Sequence, residues 1–71
     1  MIGLKYMRDA NRKFCLDDDV IICHSFREEC NGKNGKILSF IKVNGYYYYD
    51  VKFDDGKFAL GVLESNLKKK N

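Results

Sequence analysis

Asn44-Gly45 separates Ile37-Leu38-Ser39-Phe40-Ile41-Lys42-Val43 from Tyr46-Tyr47-Tyr48-Tyr49-Asp50-Val51-Lys52-Phe53. An Asn-Gly pair supplies the positive φ angles that a two-residue hairpin turn requires. Both flanks are rich in β-branched and aromatic residues, which suit a pleated, half-buried surface. The centre of the chain is therefore expected to be a β-hairpin, and the remaining elements must be arranged around it.

Seventy-one residues make one domain. A chain of this size buries only about 60% of its unfolded surface, which leaves little room for a deep cleft beside a core. No apolar run approaches the roughly 20 residues needed to span a bilayer. Lys5, Arg8, Asp9, Arg12 and Lys13 interrupt the N-terminal apolar residues, unlike the continuous core of a secretory signal. A cytoplasmic protein without membrane contact is expected. The abundance of Asn and Lys fits an accessory protein of an AT-rich genome, such as a phage or mobile element.

The cysteines are Cys15, Cys23 and Cys30. An odd number without a secretion signal argues against a disulfide framework. Their spacing contains no C-x2-C or C-x4-C pair for zinc, and Cys23 and His24 would face opposite sides of a strand. Asp17-Asp18-Asp19 lacks the alternating spacing of a calcium loop and reads as a solvated turn. No metal and no cofactor are expected.

The net charge of +3 is unevenly distributed along the chain. Residues 1–13 carry +3 and Lys68-Lys69-Lys70 another +3, while residues 14–67 hold six basic against nine acidic side chains. A body of net −3 suits a protein partner better than a polyphosphate, which favours a basic face.

Along the chain, residues 1–13 fit either a short helix or an edge strand. Val20 to Phe26 reads as a strand with Val20, Ile22, His24 and Phe26 on one face. Arg27 to Asn34 is a polar loop. Gly35 opens a second strand ending at Val43, and Tyr46–Phe53 is the third. Asp54-Asp55-Gly56 turns the chain into a fourth, Lys57–Leu63. Glu64 to Leu67 is a single helical turn, and the basic tail 68–71 is expected to be disordered. Short strands with turns every eight to twelve residues imply an all-β barrel or sandwich. A small, partly open barrel of about five antiparallel strands hides most strand edges at this size.

The segment Asp19 to Leu67 resembles the SH3-like barrels, in particular their KOW and Tudor-like branches. The residues concerned are Asp19-Val20-x-Ile22, Gly32-Lys33-Asn34-Gly35-Lys36-Ile37, Tyr49-x-Val51-x-Phe53-Asp54-Asp55-Gly56 and Val62-x-Glu64-Ser65-x-Leu67. The resemblance implies a strand entry at the aspartate, a glycine-bearing loop, a twisted hairpin, and a closing turn whose leucine plugs the barrel. The chain is expected to divide into an N-terminal extension at 1–13, the barrel at 14–67 and the tail at 68–71. The resemblance does not single out a ligand, because such barrels bind RNA, DNA, methylated tails, proline-rich peptides and other proteins. Arg27-Glu28-Glu29-Cys30-Asn31 departs from the glycine-led basic loop of KOW domains, which speaks against ribosomal-type RNA contact.

Alternation assigns Tyr47, Tyr49, Val51 and Phe53 to the core and Tyr46, Tyr48, Asp50 and Lys52 to the opposite face. Exposed Tyr46 and Tyr48 are the foremost candidates for contact with a partner, since tyrosine offers a large rigid surface with a polar tip. The same rings could stack bases or simply form cross-strand pairs. Lys52, on the Tyr46 and Tyr48 face, is a further candidate partner contact, and Phe40 and Lys42, which share a face with Leu38, would extend the patch; a bulge near Ser39 would reverse this. Arg27, Lys33 and Lys36, with Lys68, Lys69 and Lys70, are the candidate contacts for phosphate or carboxylate. No nucleophile with an adjacent base, phosphate-binding glycine loop or metalloprotease motif is present, so no catalytic residue is assigned. The expected function is a non-enzymatic adaptor or inhibitor that binds a protein through its tyrosine hairpin. KOW-like binding of nucleic acid and capture of a small ligand such as a nucleotide are the alternatives.

Overall fold

A computed structural model describes residues 12–23 and 30–70. The readings made for residues 1–11 and for His24, Phe26 and Arg27 fall outside the described residues. Five strands form one antiparallel sheet: β1 (Asp19–Ile22), β2 (Asn34–Val43), β3 (Tyr46–Phe53), β4 (Phe58–Leu63) and β5 (Leu67–Lys69), with a 3-10 turn at Glu64–Asn66. Their spatial order is β4-β3-β2-β1-β5. The all-β architecture expected from the turn spacing is present, and β4 and β5 are its two edges.

The hairpin turn lies at Asn44 and Gly45, with φ of 50° and 85°, as a type I′ pair demands. Tyr47, Tyr49, Val51 and Phe53 point inward and are at most 6% exposed. Val20 and Ile22 of β1, Ile37 of β2 and Leu67 of β5 complete the same core, with Phe14 from the preceding segment. Each fully buried aliphatic side chain here contributes about 1.5–3 kcal/mol. Gly35 faces inward opposite Phe53. A Cβ at Gly35 would stand 2.6 Å from both Lys52 O and Val51 Cγ1, so no larger residue fits between these strands.

Two bulges bend the sheet on either side of Asp50. In β2, Leu38 is the extra residue between the pairs Ile37–Val51 and Ser39–Asp50. In β4, Leu60 and Gly61 stand between Ala59, opposite Val51, and Val62, opposite Tyr49. Gly61 takes the positive φ of 66° that this bulge requires. Asp50 ties the two together: one carboxylate oxygen accepts from Ser39 Oγ at 2.8 Å and the other from the Gly61 N–H at 2.9 Å.

The C-terminus departs from the sequence-based expectation of a disordered tail. Lys68 pairs with Ile21 and Lys69 with Val20, and the Lys70 N–H donates to Asp19 O at 3.0 Å. The expectation rested on lysine side chains having nothing to bury. The backbone, however, satisfies the otherwise open edge of β1, and Leu67 anchors the strand.

Candidate binding surface

The inner side of the hairpin is fixed by a polar clamp. Tyr49 Oη donates to Glu64 Oε2 at 2.5 Å, and the same carboxylate oxygen accepts the Lys13 N–H at 3.0 Å. Burial, followed by this bond to Glu64, raises the Tyr49 phenol above its ordinary pKa. Phe14 meets the Tyr49 ring edge-on at 5.4 Å. Arg12 bonds through Nε to Phe14 O and lies 3.9 Å above the Phe40 ring. Sequence reasoning missed this docking of residues 12–14. Phe14, followed by Cys15 and Leu16 between basic and acidic residues, is the local signal for it.

The bulge at Leu38 decides which residues join the outer face. Beyond it, Phe40 pairs with Tyr49 and Lys42 with Tyr47, while Ile41 pairs with Tyr48 and Val43 with Tyr46. Directly opposed residues share a face. Phe40 and Lys42 therefore belong to the inner side, where Phe40 contacts the Tyr47 and Tyr49 rings at 6.2 and 6.3 Å and Lys42 Nζ lies over Tyr47 at 5.4 Å. This corrects the grouping of Phe40 and Lys42 with Tyr46 and Tyr48. One inserted residue has reversed their orientation.

Ile41 and Val43 take the place of Phe40 beside the tyrosines. Tyr46 and Ile41 are each 61% exposed, Val43 is exposed, and half-buried Tyr48 pairs onward with Leu63. The hairpin end of the outer face is thus a continuous apolar and tyrosine surface across β2, β3 and β4. Its neighbouring carboxylate, Asp50, already holds the bulges.

At the other end of the same face lie the lysines. Lys52 pairs with Lys36 across β3 and β2, and with Phe58 across β3 and β4. Lys36 donates to Asp19 at 2.9 Å, which holds its ammonium above the ordinary lysine pKa. Lys33 instead turns toward Asp55 at 3.7 Å and the Phe53 ring at 4.9 Å, and Lys69 toward Asp18 at 3.7 Å. The candidate phosphate contacts do not form one cluster: Lys36, Lys68 and Lys70 share the outer face with Lys52, whereas Lys33 and Lys69 do not.

An open groove of about 540 Å³ runs along β4 and is lined by Phe58, Leu60, Val62 and Leu63 together with Ile22 and Cys30. Cys15, Cys23 and Cys30 are free thiols, and Cys30 is buried. Among the described residues no helix is long and apolar enough to cross a membrane. Comparison with protein-family models, with curated proteins and with solved structures gives no match.

Proposed function

We propose that this chain is a small non-enzymatic module of the SH3-like type that binds a protein through the hairpin end of its outer sheet face. The strand order, and the 3-10 turn placed immediately before the last strand, support the SH3-like reading. The observation that carries the function is the exposure of Ile41, Val43 and Tyr46 beside one another, with Tyr48 and Leu63 continuing the surface. Folding alone gains nothing from leaving such side chains in water, and contiguous exposed apolar patches mark interaction sites. Tyrosine at the centre adds rigid area at low entropic cost.

Arg12, held over Phe40, and Lys42, over Tyr47, lie on the inner side and do not border this patch. The partner is accordingly a protein with an apolar contact surface that these side chains of the outer face can meet.

The test is retention of a protein from nuclease-treated native extract, followed by titration with that protein in purified form. Ile41→Ser combined with Tyr46→Ala is expected to weaken binding more than tenfold with an unchanged melting curve. Retention that disappears with nuclease, or a dimer of the chain itself in sedimentation that the same variant dissolves, would overturn the reading.

A further inference from the structure

Phe58, Lys52, Lys36 and Asp19 are in direct register across β4, β3, β2 and β1. Lys70, whose N–H donates to Asp19 O, continues the row beyond β5. Lys68, opposite Ile21, lies one row along on the same face. These positions alternate with Val20, Ile37 and Val51, all wholly buried, so the row faces outward. Four lysines from three separate stretches of sequence thus share the outer sheet surface with Asp19, while Asp50 lies two residues along β3 from Lys52 and is already bonded to Ser39 and Gly61.

Fold stability does not account for this arrangement. Like charges directly opposite each other on paired strands are destabilising, and Lys36 stands opposite Lys52. Asp19 bonds Lys36 with both side chains more than half exposed. Such pairs are readily exchanged for another anion. Asp17 and Asp54 add to the field at Lys36 from the turns at either side. Lys52 Nζ lies 6.0 Å from the centre of the Phe58 ring.

We infer that this row is a binding site for the phosphate backbone of a single-stranded nucleic acid. The cations are all lysine. Planar carboxylates are best gripped by the arginine fork, whereas lysine acts as a point charge and suits phosphate oxygens approached from any direction. Strand spacing of about 4.8 Å extends the row over roughly 14 Å from Lys52 to Lys70, enough for several contacts along one backbone. Phe58, 55% exposed beside Lys52, offers a ring on which a base can stack. The site is separate from the apolar hairpin end, so the two surfaces can be occupied together.

The experiment is fluorescence anisotropy of a labelled 12-nucleotide single-stranded DNA titrated with the full chain. Three to four phosphate contacts predict an affinity that falls about 20- to 50-fold between 50 and 200 mM salt. Lys36→Glu with Lys52→Glu is expected to weaken binding at least tenfold and flatten that salt dependence. Lys13→Glu with Lys57→Glu, an equal change of charge outside the row, is expected to cost less than threefold. If the glutamate pair in the row lowers the melting temperature, Lys52→Gln with Lys70→Gln gives the same ordering with smaller changes. Equal losses in the row and control variants, or no binding at 50 mM salt, would overturn the site. Displacement of the DNA by a glutamate decamer at equal charge would reassign the row to acidic protein segments and equally overturn the inference. Ile41→Ser with Tyr46→Ala should leave DNA binding intact, so failure of one surface is distinguishable from failure of the other.

Discussion

Tyr47 and Tyr49 lie on one face of β3 and Tyr46 and Tyr48 on the other, and nothing in the side chains themselves separates the pairs. Position does. The inner rings meet Phe14, Phe40, Ile37 and Val51, and the Tyr49 hydroxyl has a carboxylate to accept its hydrogen bond. The outer rings meet Ile41, Val43 and Leu63 and then water. A buried tyrosine is tolerated when its O–H finds a partner, and Glu64 is delivered to Tyr49 by the 3-10 turn. The comparison shows that four identical residues in succession serve a core and a surface at once, because the strand period is two.

The contrast is broken most severely at Val51. Val51→Asp places an unpaired charge among fully buried side chains and is expected to abolish cooperative thermal unfolding, a loss of more than about 4 kcal/mol. A cooperative transition in that variant would show that the inner face is open to water.

Removing residues 68–71 tests the edge that supports the inner face. The deletion takes away the backbone pairing of Lys68 and Lys69 with β1. It is expected to cost about 2 kcal/mol, or roughly 8–16 °C in melting temperature. An unchanged transition would return the tail to the status of a solvated appendage.

Tyr49→Phe keeps the ring and removes the bond to Glu64, at an expected cost of about 1–2 kcal/mol in denaturant titration. The raised Tyr49 pKa gives this variant a pH signature. Below the ordinary phenol value of about 10, the folded and unfolded phenols are both protonated and the stabilisation is complete. Above it the unfolded phenol ionises first, so wild-type stability falls as pH rises through 10 and beyond. Tyr49→Phe should lose less over that range, which pH-dependent urea titrations can measure.

Tyr46→Ala sits at the small end, within about 0.5 kcal/mol of wild type in stability. Its effect should fall on partner binding alone. A destabilisation comparable with that of Tyr49→Phe would mean that the outer tyrosines are structural and that the two faces differ less than their exposure implies.

Much of the fold was legible from local chemistry. Asn44-Gly45 set the hairpin, and alternation sorted Tyr47, Tyr49, Val51 and Phe53 from their neighbours. The Asp54-Asp55-Gly56 turn and the 3-10 turn at Glu64 were equally visible, because each depends on residues adjacent in sequence. Phe40 and Lys42 were misplaced because alternation has no means of counting a bulge whose extra residue, Leu38, looks like any other apolar strand residue. The tail was misjudged because its order comes from backbone pairing with β1, which side-chain composition does not report.

The amino-acid order alone determined where the chain turns and which residues of β3 point together, since φ preference and strand period act over a few bonds. Tertiary pairing alone decided what stands beside what. It set Ile41 and Val43 next to the tyrosines, and it gathered Lys36, Lys52, Lys68 and Lys70 on one face of the sheet. Register between distant strands is fixed by the buried faces and the bulges, so the outer face inherits its neighbours from the packing of the inner one.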